Sequence, residues 1–515
     1  MLREDLRNLI EKTIAKLYGQ TVRVGLERPA EASFGDYATN AALILKKDPA
    51  EVAAALKSEA FERIEVKNGF INFFVAKDYL QKQVAEILKK KEKFGNLKIG
   101  RGQKVNVEFV SANPTGPLTL GNGRGGFCGD VLANILAGAG FRVSREYYVN
   151  DRGEQVIKLG HSVIGDEEAV YKGPYVEELR KKVKIDNPKE TGERAAKVIL
   201  EEMIRPAIEK MGIEFDVWFS EKNLYRKKEI GKVLTYLKSR DLVYENDGAL
   251  WFKSTRFGDD KDRVLLKAGG EETYFLSDIA YLKNKFRRGF EKLIFFWGAD
   301  HYGYVGRLKA AAEALGFEKE KIDIVVMQLV RLFEGGREVR MSKRTGIYLT
   351  IDELIDEVGR DAARFFFLQR SPDTHLNFNL DLAKEQSENN PVYYVQYAHA
   401  RICSILEKLR DQKLKVEAGT KSLKLLGHQS ELTLIKQLIR LPEIIEDTSA
   451  DFQVQRLPQY TVDLATAFHQ FYRDCRVIDP SNEDLQSARI SLVLATRIIL
   501  KRTLSLMGLS APEKM

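Results

Sequence analysis

The architecture of this chain follows from residues 105–130, which read VNVEFVSANPTGPLTLGNGRGGFCGD. The first five alternate apolar and polar side chains, as a half-buried β-strand does, and a loop with two prolines follows. A glycine-dense turn comes next, and the apolar run Val131 to Leu136 predicts a helix. Strand, glycine loop and helix N-terminus together predict a phosphate cradle, because glycines let an anion approach free backbone N–H groups.

The same glycines allow a second interpretation. Gly121, Gly123 and Gly126 fit the dinucleotide-binding pattern G-x-G-x-x-G. Glu146 follows at roughly the twenty-residue distance where that pattern places a ribose-binding carboxylate. In the pattern, however, the first glycine comes almost directly after the strand, whereas here residues 111–120 intervene. An NAD-dependent oxidoreductase is therefore the less favoured alternative, and a purely structural glycine turn would be the default without a second phosphate-binding segment.

A second segment supplies positive charge. Arg340, Lys343 and Arg344 lie in the short run RMSKRTG, and Thr350 with Glu353 forms a capping box that predicts the start of a helix. A charge run alone is usually a solvated surface. Together with an upstream glycine cradle, this one predicts a clamp for a triphosphate.

These segments resemble the class I aminoacyl-tRNA synthetases, and within them the arginyl-tRNA synthetase family, over essentially the whole chain. RMSKR (340–344) is similar to the second class I signature, Lys-Met-Ser-Lys-Ser. Six further runs are similar to the arginyl enzymes: SANPTGPL (111–118), YVNDRG (148–153), TYFLSDIAY (273–281), WGADHYGY (297–304), NPVYYVQYAHAR (390–401) and SAPEKM (510–515). Several long matches in the same order are far more specific than one short pattern.

The first class I signature, His-Ile-Gly-His, falls on Thr119-Leu120-Gly121-Asn122, so both histidines are missing. In the family they donate hydrogen bonds to the triphosphate. Thr119 and Asn122 can each still donate a hydrogen bond, although neither carries positive charge. Gly121 remains, and the resemblance implies that a side chain at this position would obstruct adenine. We expect a working enzyme, and the alternative is a catalytically weakened relative that binds arginine or tRNA.

The resemblance implies ATP-dependent activation of L-arginine to arginyl-adenylate and transfer to the 3′ end of tRNA-Arg, with bound tRNA required for the first step. ATP is the implied cofactor and brings Mg²⁺ with it. The implied catalytic residues are Thr119, Gly121, Asn122 and Lys343. The implied ATP-binding residues are Thr119, Leu120, Gly121, Asn122, Gly298, Asp300, His301, Arg340, Met341, Ser342, Lys343 and Arg344. For His301 a structural role is equally open.

The substrate arginine needs carboxylates for its planar guanidinium group. Glu108, Asn113, Tyr274 and Asp278 match family positions that contact arginine, and the last two are one helical turn apart and can share a face. We expect Asp278 and Tyr274 at the guanidinium end, and Glu108 with Asn113 nearer the α-amino and carboxyl groups. Which carboxylate meets which end stays open. Glu108 as a surface charge and Tyr274 as a core residue are the structural alternatives.

Composition limits the class of protein. The 515 residues carry 82 Lys and Arg against 74 Asp and Glu, a net charge of +8 that is compatible with a polyanionic partner. Three scattered cysteines predict neither disulfides nor structural zinc, and no metal site is expected. Charges of both signs at the start argue against a signal peptide, and no apolar stretch approaches the ~18 residues that span a bilayer. We expect a cytoplasmic monomer without a membrane partner.

Three domains are expected. Residues 1–98 predict an α+β domain that the resemblance implies contacts tRNA, and it contains Phe34-Gly35-Asp36-Tyr37-Ala38, which is similar to a motif of arginyl enzymes. Residues 99–370 predict a Rossmann-like α/β catalytic domain with a parallel sheet, interrupted by an insertion at about 155–270. Residues 371–515 predict an all-α helical bundle, the anticodon-binding domain of the family.

Aromatic and basic side chains on these last helices are candidates for reading unpaired bases, which proteins bind by stacking and cation contacts. Most aromatics on such helices are core, so each one is weakly indicated by itself. The candidate tRNA-binding residues are Tyr393, Tyr397, Arg401, Tyr472 and Arg476.

Overall fold

The structure is a computed structural model that describes residues 2–339, 350–411 and 420–515. Its first part is an α+β module. The elements of this module are α1 (Leu2–Tyr18), β1 (Tyr37–Thr39), α2 (Ala41–Ile44), α3 (Pro49–Ala55), β2 (Phe61–Lys67), β3 (Phe70–Val75) and α4 (Lys77–Lys90). The strands form an antiparallel sheet in the order β1-β3-β2. Leu6, Ile10 and Ile14 of the amphipathic helix α1 are buried against the rest of the module.

The middle of the chain contains the remaining strands. They are β4 (Lys104–Glu108), β5 (Arg142–Val149), β6 (Val217–Ser220), β7 (Val243–Asn246), β8 (Ala249–Phe252), β9 (Arg263–Leu266), β10 (Lys292–Gly298), β11 (Ile322–Met327), β12 (Val330–Glu334), β13 (Arg337–Val339) and β14 (Leu376–Asn379). A five-stranded parallel sheet has the order β11-β10-β4-β5-β6. The strand order reverses at β4, and ligands of such sheets bind beyond the carboxyl ends of the strands near that point. The α/β prediction with a parallel sheet is confirmed.

Helices α5 to α13 lie between the strands of this sheet in the chain, and α14 to α16 follow its last strand, β11. The bounds of these helices are α5 (Leu120–Gly138), α6 (Glu154–Ile164), α7 (Pro174–Lys182), α8 (Pro188–Ile199), α9 (Arg205–Lys210), α10 (Lys222–Arg226), α11 (Glu229–Ser239), α12 (Tyr274–Arg287), α13 (Val305–Ala314), α14 (Ile351–Val358), α15 (Arg360–Leu368) and α16 (Leu380–Lys384). The range predicted as an insertion includes β6, the edge strand of the parallel sheet, and also a small antiparallel sheet in the order β7-β8-β9.

The glycine-dense segment is helical, and its prediction as a turn was wrong. Helix α5 begins at Leu120, well before the apolar run that predicted it. A Cβ on Gly123 would lie 2.5 Å from the Ile351 side chain, and one on Gly129 would lie 2.3 Å from Phe109. The glycines therefore allow close packing of α5 against neighbouring elements, which outweighs their low helix propensity.

The last part of the chain is the predicted helical bundle. Its helices are α17 (Pro391–Asp411), α18 (Gln429–Leu438), α19 (Leu441–Asp451), α20 (Arg456–Asp474) and α21 (Glu483–Leu506). Pro391 begins α17, as a proline at the first helical position should. Apolar residues of that helix, spaced three and four apart, form a buried stripe: Val395, Ala398, Ile402, Ile405 and Leu409.

The motif at residues 34–38 joins the first module to this bundle. Tyr37 is buried and its hydroxyl donates to Glu443 Oε1 at 2.5 Å. Arg28 Nε donates to Glu443 Oε2 at 2.8 Å, and Lys436 forms an ion pair with Asp36 at 2.7 Å. These side chains hold the two domains together.

Candidate active site

The loop after β4 leaves the sheet through a strained turn. Val110 and Ser111 both have positive φ, 64° and 40°, and Ser111 N donates to the carbonyl of Phe109 at 2.9 Å. Positive φ is costly for a β-branched residue and is found where surrounding structure enforces it. Here Tyr148 N donates to Ser111 Oγ at 3.0 Å. The turn directs residues 111–118 across the carboxyl end of the sheet.

Thr119 and Asn122 cap helix α5 together. Thr119 Oγ1 donates to Asn122 Oδ1 at 2.8 Å, and Asn122 N donates back to Thr119 Oγ1 at 3.3 Å. The hydroxyl of Thr119 is therefore satisfied inside the cap. Because the oxygen of Asn122 is also occupied, its Nδ2 group is the donor that remains for a ligand at the positive end of the helix.

Two other predicted nucleotide-binding residues follow in the first turn of α5. A Cβ on Gly121 would meet only Thr119 Oγ1, at 3.7 Å, so there is open space where the resemblance implies adenine. Leu120 is buried in the core. Its side chain is a packing residue, and only its backbone is suited to contact ATP.

The segment after the second signature contacts the first signature. Thr350 forms an isolated antiparallel bridge with Thr119, and Ile351 N donates to the carbonyl of Leu118 at 3.1 Å. The capping box of Thr350 and Glu353 is present, as predicted. The second signature itself, with Arg340, Met341, Ser342, Lys343 and Arg344, lies outside the described residues.

The remaining predicted ATP-binding residues follow β10. Gly298 ends the strand, and Asp300 and His301 are exposed beyond it, with His301 Nε2 at 3.5 Å from Asp300 Oδ2. They therefore lie at the same edge of the sheet as the first signature, where ligands of parallel sheets bind.

Helix α12 presents the predicted guanidinium-binding residues. Tyr274 is at its first turn, 46% exposed, with its hydroxyl 3.4 Å from where a Cβ on Gly153 would lie. Asp278 lies one turn deeper and is half-buried. Asn113 donates to Gln155 Oε1 of α6 at 2.6 Å. Loop, α6 and α12 thus converge on one pocket.

Among the residues that the structure describes, few cations oppose the carboxylates of this pocket. Burial, and then the charges of Glu221 and Glu108, raise the pKa of Asp278 to about 7, and Arg307 only partly opposes them. Burial likewise raises the pKa of Glu221 to about 7, with Arg152 opposing. A guanidinium would neutralise such a site, whose acids are otherwise costly to ionise.

Glu108 has a different environment. Its Oε2 accepts from the hydroxyl of Tyr281 at 2.8 Å and forms an ion pair with Lys285 Nζ at 2.8 Å. Lys285 is also 3.3 Å from Glu146, which is fully buried. Glu108 is therefore a buried, paired carboxylate at the pocket wall, not a surface charge.

Glu146 cannot serve as the ribose-binding residue of a dinucleotide site. Arg288 holds it with two hydrogen bonds of 2.6 and 2.7 Å, and Asn106 Nδ2 donates to it at 3.0 Å. Burial would raise its pKa, but Lys285 and then Arg288 outweigh burial and lower the pKa to about 2. The glycines of the pattern are moreover inside a helix, so the NAD interpretation was wrong.

Sequence reasoning missed several pocket residues. Glu221 directly follows β6, and it belongs to none of the motifs recognised in the sequence. Tyr148 lies close enough to four carboxylates that, after burial, their charges raise the pKa of its phenol. Tyr281 and Lys285 continue the spacing that begins with Tyr274 and Asp278, and this periodicity was a usable signal.

Four of the five candidate tRNA-binding residues come together in the bundle. Tyr393 and Tyr397 are nearly parallel, with ring centroids 6.3 Å apart. The guanidinium of Arg401 lies 4.6 Å from the ring centroid of Tyr397 and 5.5 Å from that of Tyr472. Arg476 is elsewhere, where its Nε donates to the carbonyl of Ile478 at 3.0 Å.

Among residues 2–339, 350–411 and 420–515, no group of three or more His, Cys, Asp or Glu side chains is arranged to hold a metal ion. In the same ranges, none of the helices combines the length and the apolar character needed to cross a bilayer.

Three family models match the chain. They are the arginyl tRNA synthetase N terminal domain at residues 4–75, the catalytic domain of tRNA synthetases class I (R) at 83–404, and the DALR anticodon binding domain at 395–515. An arginine–tRNA ligase of Carboxydothermus hydrogenoformans is 46% identical, over 95% of this chain and 94% of its own. One from Bacillus subtilis is 43% identical, over 100% and 98%. The arginyl-tRNA synthetase structure from Thermus thermophilus, 22% identical, matches with a TM-score of 0.80 over 100% of both chains, which shows a common fold.

Proposed function

The chain belongs to the arginyl-tRNA synthetase family, and we propose that it joins L-arginine to tRNA at the carboxyl edge of its parallel sheet. It is an arginine–tRNA ligase. The arginine carboxylate attacks the α-phosphorus of ATP, so that a carboxyl–phosphate bond forms and pyrophosphate leaves. A ribose hydroxyl of the terminal adenosine of tRNA then attacks the arginyl carbonyl, and AMP leaves.

The observation that carries this proposal is the acidic pocket. Asp278 and Glu221 are under-compensated, and a planar guanidinium with five donors can satisfy both. Tyr274 closes the rim on this side. Glu108 and Asn113 are left for the α-amino and carboxyl groups, because the charge of Glu108 is already balanced by Lys285.

The nucleotide occupies the N-terminus of α5 with MgATP as substrate. Asn122 replaces a signature histidine as hydrogen-bond donor to the phosphates, and Gly121 leaves space for adenine. Thr119 contributes mainly by holding Asn122 through the cap. Gly298, Asp300 and His301 form the opposite side. Lys343, Arg340 and Arg344 of the second signature supply positive charge to the departing pyrophosphate. Such reactions depend mainly on alignment of the reactants and neutralisation of charge.

The remaining domains bind tRNA. We divide the chain into residues 1–98, 99–370 and 371–515, and place the anticodon on the helices of the last domain. Tyr393, Tyr397, Arg401 and Tyr472 form the stacking surface, and Arg476, which lies outside it, is a separate contact with tRNA. A cytoplasmic monomer that recognises tRNA-Arg completes the proposal.

Charging of a tRNA-Arg transcript with arginine and MgATP tests the proposal, with lysine and citrulline as competing substrates. We expect charging that requires arginine. Asn122→Ala should slow it about a hundredfold, as loss of one transition-state donor does. Asn122→His, which restores the residue usual in the signature, should at least retain the wild-type rate. Thr235→Ala, which removes an exposed helical hydroxyl bonded only to its own helix, is the control.

The alternative of a weakened relative that binds without catalysis is not favoured, because the similar proteins are arginine–tRNA ligases matched over nearly their whole length. Its result would be arginine and tRNA binding in a titration with no charging, and that result would contradict the enzyme. Loss of arginine binding in the wild type would contradict both.

A further inference from the structure

One face of helix α12 carries polar groups along its whole length. Tyr274, Asp278, Tyr281 and Lys285 are spaced four, three and four residues apart, which places them on one side of a helix. The first two line the candidate arginine pocket. The last two are buried against the parallel sheet.

Lys285 joins the helix to two adjacent strands of the sheet, β4 and β5. Its ammonium is fully buried and donates to Asn106 of β4, and it forms ion pairs with Glu108 of β4 at 2.8 Å and Glu146 of β5 at 3.3 Å. Tyr281 bridges the same two carboxylates, at 2.8 and 2.5 Å. A buried ammonium with this many partners can occupy only one place.

Arg288, directly after α12, completes the network. It makes a bidentate pair with Glu146, and its side chain is 28% exposed. The planar fork of arginine fixes angle as well as distance. The C-terminal end of the helix is therefore held to β5 in one register.

The charges of the network balance one another. Lys285 and Arg288 supply two positive charges, and Glu108 and Glu146 supply two negative charges. Asp278 and Glu221 lie outside this balance, beside Tyr148, with Arg152 and Arg307 as their nearest cationic influences. The negative charge that this network leaves unbalanced is therefore at Asp278 and Glu221, where the guanidinium of the substrate would lie.

We propose that Lys285 and Arg288 are positioning residues for arginine binding, which hold α12 in register with β4 and β5 and fix the carboxylate of Glu108 at the pocket wall. This inference rests on the proposed function, because it assigns the pocket to arginine. Neither residue is proposed to contact ATP or the reacting atoms. A small shift of the helix would move Asp278 and Tyr274 relative to Glu108, and displacements of about 1 Å can cost a hundredfold in rate.

The test compares Lys285→Met and Arg288→Gln with neighbouring controls on the same helix. Lys283→Met removes a lysine that lies over the Tyr236 ring, and Arg287→Gln removes an exposed arginine paired with Glu229. Neither control touches the network. KM for arginine, KM for ATP, kcat for charging and arginine binding by calorimetry are measured for each, between pH 6 and pH 9.

We expect both network variants to raise KM and the dissociation constant for arginine about tenfold to a hundredfold. KM for ATP should stay near the wild-type value. In Lys285→Met, two adjacent carboxylates lose the ammonium between them and hold a proton more tightly, so kcat/KM for arginine should rise with pH over a higher range than in the wild type. Arg288→Lys, which keeps the charge without the fork, should lie between Arg288→Gln and the wild type. The controls should match the wild type.

The inference would be overturned if Arg288→Gln kept the wild-type affinity for arginine. It would also be overturned if the network variants changed KM for arginine, KM for ATP and kcat by equal factors and left the pH dependence of kcat/KM unchanged. The latter is what a merely structural role produces. If Lys285→Met does not fold, the two Arg288 variants decide alone, because this side chain is partly exposed. A wild-type protein that charges no tRNA would contradict the proposed function, and arginine binding in the variants would still test the positioning role.

Discussion

Two pairs of carboxylates lie close to helix α12, and their environments are opposite. Lys285 forms ion pairs with Glu108 and Glu146, and Arg288 forms a second ion pair with Glu146. The pKa of Glu146 is lowered to about 2. Within the described ranges, only Arg307 and Arg152 oppose the charges of Asp278 and Glu221, and burial raises the pKa of each to about 7. Carboxylates paired with cations stabilise the fold. Carboxylates without enough cations lower the stability of the free protein and are suited to bind a cationic ligand.

The largest effect should follow from breaking the paired set. Glu146→Gln leaves the buried Lys285 and the partly exposed Arg288 with one carboxylate between them, and we expect a loss of about 3–5 kcal/mol in the free energy of unfolding. Thermal unfolding of the variant beside the wild type measures it. An unchanged midpoint would mean that the buried network does not stabilise the fold.

Asp278→Asn should have the opposite balance of effects. Removing a carboxylate that would pair with the guanidinium should cost about 2–5 kcal/mol in kcat/KM for arginine, because the substrate cation is then buried without its partner. Stability at neutral pH should be unchanged or higher, since the amide need not be ionised in a buried place. Steady-state charging and thermal unfolding are both measured, with KM for ATP as the internal control. A strongly destabilised variant would place Asp278 with the paired set instead.

The two sets should also respond differently to pH. Asp278 and Glu221 must lose protons to bind a guanidinium, so KM for arginine should fall by about tenfold between pH 6 and pH 8. Stability has the reverse sign for Asp278: the folded protein keeps this proton up to about pH 7 while the unfolded chain releases it near 3.8, so stability falls across that range. For Glu146 stability is lost as pH falls from 4.5 towards 2. KM for arginine and the midpoint of thermal unfolding are measured as functions of pH. If neither changed with pH, the protonation states assigned to these carboxylates would be contradicted.

The smallest expected effect is the change in the pH midpoint of arginine binding when Glu221, the neighbour of Asp278, loses its charge. Because Glu221 is the strongest charge acting on Asp278 after burial, Glu221→Gln should shift the pH midpoint of arginine binding down by about half a unit. The midpoint is read from calorimetric titrations at several pH values. A midpoint that stays in place would mean that the charge of Glu221 does not contribute to the pKa of Asp278.

Much of the architecture was predictable from local patterns. The strand at residues 70–75, the capping box at Thr350 and the buried stripe of α17 depend on spacing and propensity within one element, and each is present. The helical conformation of the glycine segment was not predictable in this way. Glycine normally disfavours helices, and only contacts with Ile351 and Phe109, distant in sequence, explain why it is used here.

Motif spacing was enough to establish the family, the parallel sheet and the pairing of Tyr274 with Asp278 on one helical face, because these are properties of order and period along the chain. The order of residues along the chain did not reveal which carboxylates are compensated by cations. Glu108, Glu146, Glu221 and Asp278 are chemically similar side chains, and their roles differ because folding brings Lys285 to one pair and leaves the other under-compensated. Charge compensation depends on distances between residues far apart in the sequence, and those distances exist only in the folded molecule.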